Sequence, residues 1–155
     1  MSSTKVRSLD RSIQSSIQWL NDIQSELKWT DEERVYSATK AMLHTLRDRM
    51  IVDETFELAA QMPLLIKGIF FDGYDPSGKP LEIRSREKFF DTIQERFDKA
   101  SGLDGETITR AVLKVLYKRV GAGEMDDVMN AMPDDIKGLF IAAKKSLEES
   151  QSQSA

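Results

Sequence analysis

The sequence predicts an all-α fold: a single compact helical bundle made of two tandem, pseudo-symmetric four-helix repeats of about 70 residues. Three observations predict it. Segment 39–70 reappears as 109–140, and 12 of the 32 aligned positions are identical where average residue usage gives roughly two. Apolar residues recur at helical spacing through both copies. No alternating strand pattern runs beyond a few residues. Two copies of one unit normally pack as two copies of one fold, so the architecture is expected to be a duplicated helical one.

Residues 1–7 are polar and expected to be flexible, and 8–148 form the helical domain. Repeat one spans 8–73. Its first helix, from about Ser8 to Lys28, carries Ile13, Ile17, Leu20, Ile23 and Leu27 as an apolar stripe. Thr30 and Glu33 have capping-box spacing and are expected to start the second helix, which turns Val35, Met42, Leu43, Leu46 and Met50 inward up to about Met50. Asp53 is the expected N-cap of a short third helix. Pro63 suits the first turn of a fourth, where its missing amide hydrogen is harmless, and Gly73 supplies a left-handed stop. The connecting loop, 73–85, holds a turn at Asp75-Pro76-Ser77-Gly78.

Repeat two spans 86–148. Phe89, Phe90, Ile93 and Phe97 share one face of its first helix and align with Trp19, Leu20, Ile23 and Leu27, so the repetition extends back over the first helix. A helix over about 105–120, a break at Gly121 and Gly123, a short helix to about Ala131 and a last helix from Pro133 to about Glu148 complete it. The polar tail 149–155 is expected to be disordered.

The stretches LHTLRDR (Leu43–Arg49), QMPLLIKGIFFDGYDPSGKP (Gln61–Pro80), RSREKFFD (Arg84–Asp91) and GAGEMDDVMNAMP (Gly121–Pro133) give the chain a resemblance to the bacterial domain of unknown function family 2267. The resemblance covers most of residues 16–140. Tyr74 stands where most relatives are expected to carry Trp. The family implies a small, helical, cytoplasmic protein and no particular activity.

Composition excludes several classes. Without cysteine there are no disulfides, zinc–thiolate sites or thiol nucleophiles. MSSTKVRSLD lacks the apolar run of a signal peptide, and no segment is long and apolar enough to span a membrane, so a cytoplasmic location is expected. A net charge of −4 argues against nucleic acid, whose phosphates call for a basic face. Gly121-Ala122-Gly123 lacks the Lys-Ser/Thr of a phosphate-binding loop, and the loop aspartates do not match a calcium-loop pattern. No metal, cofactor or catalytic residue is assigned.

Candidate sites come from comparing the copies. Phe56, Leu64 and Leu65 correspond to Asp126, Asp134 and Asp135. A buried unpaired carboxylate costs several kcal/mol, so repeat two exposes this surface. The fourth helix of repeat one is apolar nearly all round and is expected to be covered, either by the rest of the chain or by a homodimer or protein partner. Leu64, Leu65, Phe71, Tyr74, Asp75 and Lys79 are the candidate interaction surface. His44 has Lys40, Arg47 and Asp48 one turn away but no nucleophile or metal ligand nearby. A solvated or interface histidine is the plain reading, and His44 with Arg47 forms a candidate pocket at the seam between repeats. Arg49 and Arg119, identical in both copies, are expected to clamp Glu54 and Glu124. These features point to a non-enzymatic helical interaction module with a regulatory or stress-linked role. The alternative is a small-ligand binder or enzyme with its site at the seam.

Overall fold

Local chemistry sets most helix ends. In the computed structural model, which describes residues 4–97 and 102–153, α1 (Arg7–Leu27) ends where Lys28 turns left-handed at φ 57°. α2 (Glu32–Arg49) starts at Asp31, whose carboxylate accepts the Arg34 amide at 3.2 Å. The cap is therefore Asp31 rather than Thr30, because its carboxylate sits next to the first helical residue. α3 (Val52–Ala59) is preceded by Ile51 with no side-chain cap, so Asp53 lies inside the first turn instead of capping it. α4 (Leu64–Phe71) follows Pro63, and Gly73 takes φ +70° as expected.

Ser85 caps α5 (Arg86–Glu95), and Asp104 caps α6 (Gly105–Val120) with a 2.7 Å bond from the Thr107 amide. α7 (Ala122–Asn130) and α8 (Asp134–Gln153) close the chain. α8 passes the expected end at Glu148, so the described part of the 149–155 tail is helical. At the other end Thr4 donates its amide to Asp10 at 2.7 Å, which ties the described part of 1–7 to α1. Residues 1–3 and 154–155 of those two expectations lie outside the described residues.

Among the described residues the fold is all helical and packs around one core. α6 runs through the middle against α1, α2, α5 and α8. α3 and α7 begin at Val52 and Ala122, and α4 and α8 at Leu64 and Asp134, the same offset as the sequence repeat. α1 packs on α6 and α4, while α5 packs on α2 and α8. Trp19, Ile23 and Leu27 are buried, as are their counterparts Phe89, Ile93 and Phe97. The inner face of α1 is turned slightly from the expected stripe: Ser16 is buried and Ile17 is exposed, because Trp19 fixes which side meets the core.

The loop after α4 is bonded to the end of α2. The Leu81 amide donates to Asp48 O at 2.8 Å, Arg49 Nε donates to Ile83 O at 2.7 Å, and Ile83 is buried. Arg49 thus holds the loop instead of clamping Glu54. Arg119 reaches Asp22 of α1, with Nε at 2.7 Å from Oδ2, instead of Glu124. Identical side chains met different neighbours.

Candidate functional site

The apolar edge of α3 and α4 is open. Ile66 and Phe70, four residues apart, turn into the core, which leaves Leu64 and Leu65 outward, 50% and 48% exposed. Phe56 of α3 is 57% exposed. The expectation that the chain itself covers this helix is therefore overturned. α4 packs mainly on α1 and α2, which leaves the side carrying Leu64 and Leu65 uncovered. Phe56 and Phe71 rings lie 5.1 Å apart, and Tyr74 continues the row at 5.7 Å from Phe71. Single exposed apolar residues are ordinary; three on two consecutive helices, Phe56, Leu64 and Leu65, are a candidate interaction site.

The copies differ here for a visible reason. Asp135, the counterpart of Leu65, accepts the Arg86 amide at 2.8 Å and so caps α5. Asp126, the counterpart of Phe56, accepts Tyr117 Oη at 3.2 Å and pairs with Lys144 at 3.1 Å. Phe56, outside the candidate surface that the sequence suggests, belongs with the leucines. Its alignment with a charged residue was the available signal. Of the other candidates, Tyr74 adjoins Phe71 but is half-buried beneath Arg47, whose guanidinium lies 5.1 Å from the ring. Asp75 accepts the Ser77 amide at 2.9 Å, and Lys79 Nζ reaches Ser77 O at 3.5 Å. These two close the turn upon itself.

His44 and Arg47 act together at the end of α4. His44 Nε2 donates to Ile69 O at 2.7 Å, the proton assigned by the carbonyl's inability to donate. Arg47 Nη1 donates to Phe70 O and Asp72 O, both at 3.0 Å. Together they cap the carbonyl end of α4, where cationic and N–H groups meet the negative end of the helix dipole. Burial pushes the His44 pKa down, with the charges of Arg47, Lys40 and Arg96 adding to it against the carbonyl bond, so the ring is neutral at pH 7. The solvated or interface histidine expected from the sequence is in fact a half-buried helix cap.

Arg47 is also forked onto Asp48, with Nε–Oδ1 at 2.9 Å, and Arg96 of α5 reaches the same carboxylate at 2.8 Å. Beside them opens a shallow polar cleft of about 660 Å³, lined by Lys40, His44, Arg47, Asp48, Asp72 and Arg96 among others. Lys40 and Asp72 pair at 2.8 Å on its rim; their mutual hydrogen bond raises the lysine pKa and lowers that of the aspartate. Every charge in this cleft already has an internal partner.

The second electrostatic feature is where α3 meets α7. Glu54 Oε2 and Glu124 Oε1 are buried without a hydrogen-bond partner. Burial, followed by the charges of Glu57, Glu124 and Asp127, raises the Glu54 pKa, and burial with Glu57 and Asp127 raises that of Glu124. A carboxyl that holds its proton better when folded stabilises the fold fully below its unfolded pKa of about 4.3, and that contribution fades as pH rises through the folded value. Glu54→Gln is therefore expected to raise stability at neutral pH by about 0.5 kcal/mol, after screening at a half-exposed site, with no gain near pH 4. Urea unfolding at both pH values checks it; equal shifts would contradict the linkage.

Among the described residues no cluster of His, Asp or Glu has metal-binding geometry, and no helix is long and apolar enough to cross a membrane. No curated protein matches the chain. Residues 17–139 match the family described as "Uncharacterized conserved protein (DUF2267)", and the chain belongs to that family.

Proposed function

We propose that the protein is a non-enzymatic, cytoplasmic helical interaction module with a regulatory role, built from a duplicated unit, and that its docking surface is the α3–α4 edge. One observation carries this reading: Phe56, Leu64 and Leu65 are about half exposed or more on one edge, while repeat two carries aspartates at all three places. Burying such side chains fully is worth about 1.5–3 kcal/mol each, enough to drive docking once a partner's surface is complementary. Helix starts at the repeat's own offset support the duplication.

The test transplants repeat two's residues into repeat one. Leu64→Asp with Leu65→Asp is expected to change stability by no more than about 0.5 kcal/mol, as at other exposed sites, yet to lose a partner captured by the wild-type chain. Light scattering on both proteins reports whether that partner is a second copy. Identical capture profiles from a folded double variant and a monomeric wild type would sink the reading.

The polar cleft favours a second reading, a small-ligand site at the seam, because Arg96 of α5 meets the α2 residues Arg47 and Asp48 there. Internal pairing of its charges makes this the weaker reading. A thermal-shift screen with anionic metabolites tests it, and a ligand-induced rise in melting temperature abolished by Lys40→Ala would establish it.

A further inference from the structure

We infer that the α3–α4 edge receives a basic amphipathic segment of a partner protein, with the segment's apolar side chains on Phe56, Leu64, Leu65 and Phe71 and its Lys or Arg side chains over the carboxylates of α3 and α7. The inference rests on the docking reading above and names the occupant. Its ground is the charge beside the apolar edge. α3, α4 and α7 together carry six carboxylates and one cation, Lys67. At 3.6 residues per turn, the buried Thr55, Leu58 and Ala59 place the outward crest of α3 at Asp53 and Glu57. Phe56 lies on the flank that meets Phe71 of α4, and Glu54 on the flank toward α7.

Asp22, Glu26, Asp72 and Asp135 have cationic partners within 4 Å, whereas scattered acids such as Glu32, Glu33, Glu148 and Glu149 have none among the described residues, and neither do those beside the apolar edge. Asp53, Glu54, Glu57, Glu124 and Asp127 have no such partner among the described residues. Two of them, Glu54 and Glu124, each bury one oxygen and lie among the like charges of Glu57 and Asp127, a crowding of negative charge that cations laid over the exposed carboxylates Asp53, Glu57 and Asp127 would offset. A second copy fits poorly. A twofold contact presents the same patch from both sides, so it would set one acidic rim against the other with a single lysine from each copy to offset them. An amphipathic helix laid in a groove, with apolar anchors at helical spacing and cations beside them, matches both features.

Two synthetic helical peptides test the inference, with identical leucines at i, i+3, i+4 and i+7 and either Lys/Arg or Glu at the remaining positions. Fluorescence anisotropy with the full chain is expected to show the basic peptide binding at least about tenfold tighter, since several rim pairs each contribute a modest factor. Asp53→Lys with Glu57→Lys is expected to erase or invert that preference, whereas Glu148→Lys with Glu149→Lys on α8 leaves it intact. Leu64→Asp with Leu65→Asp is expected to abolish binding of both peptides.

Equal affinity for the two peptides, or a preference that survives the α3 reversal, overturns the inference. It leaves the docking reading standing if the leucine variant still loses binding. Failure of both peptides alongside wild-type self-association through the leucines gives the edge to a second copy and also overturns the inference. Failure of both peptides with a monomeric wild type overturns the inference and counts against the docking reading as well.

Discussion

Arg47→Ala is expected to lower the unfolding free energy by about 3–5 kcal/mol, the range for breaking a buried ion pair from one side. Arg47 is 4% exposed and joins three parts of the fold. Its fork holds Asp48 on α2, its Nη1 holds two carbonyls at the end of α4, and its face covers Tyr74. Truncation leaves Asp48 with Arg96 alone and strips the α4 carbonyls of a donor. For a chain of this length each kcal/mol is worth about 2–4 °C, so the melting temperature should fall by roughly 10 °C. A loss below about 1 kcal/mol in urea unfolding would refute this account.

The same variant changes the response to acid. Burial alone would raise the Asp48 pKa, but the hydrogen bond and charge of Arg47, with Arg96 behind it, outweigh burial and hold it below the ordinary carboxylate range. Stability from this group is present above the unfolded pKa of about 3.9 and lost as pH falls through the lower folded value. Without Arg47 that acid limb should flatten. Arg47→Lys keeps the charge and loses the planar fork, so an intermediate loss is expected.

Gly105→Ala is expected to destabilise by about 1–3 kcal/mol, although alanine is the better helix former by about 1 kcal/mol. A Cβ at Gly105 would lie 2.7 Å from Phe90 O and 2.9 Å from Phe90 Cα and Cβ. Two of those atoms are backbone, so α5 would have to move away from α6 as a unit. Gly68→Ala supplies the opposite case: its Cβ meets nothing within 4 Å, and the helix-propensity gain is expected to appear undiminished. Thermal unfolding of both variants decides it, and shifts of the same sign would show that the close approach is not what matters at Gly105.

These two glycines show where sequence reading stops. Gly68 is identical to Gly138 across the repeat, which suggests a shared steric need, yet Gly68 is in open space. Gly138 meets only the flexible end of the Arg86 side chain, and Gly105, whose counterpart at the repeat offset is Val35, is the one pressed against another helix's backbone. Identity between aligned positions is a property of the sequence, whereas steric need depends on what packs there. Arg49 and Arg119 repeat the lesson. Their shared spacing from Glu54 and Glu124 suggested a local clamp, but Ile83 O and Asp22 arrive from distant sequence and compete successfully for the guanidinium groups. Thr30 was the expected cap of α2, and backbone placement by a single residue gave that role to Asp31.

The candidate site was legible in part. Leucine opposite aspartate at two successive positions marked the α3–α4 edge as the place where the halves face different surroundings. The local apolar pattern of α4 could not reveal its exposure, because that depends on which helices lie against it. Nor could sequence separate Tyr74, Asp75 and Lys79 from the leucines, since their roles follow from Arg47 and the loop's return onto α2.

By itself the sequence determined the helical content and the phase of most buried faces, because 3.6-residue periodicity and turn chemistry act over a few residues. Tertiary structure decided which carboxylates were left unpaired, which arginine became a buried junction and which apolar edge stayed open. Those outcomes depend on groups far apart in the chain meeting, or failing to meet, once the core has closed.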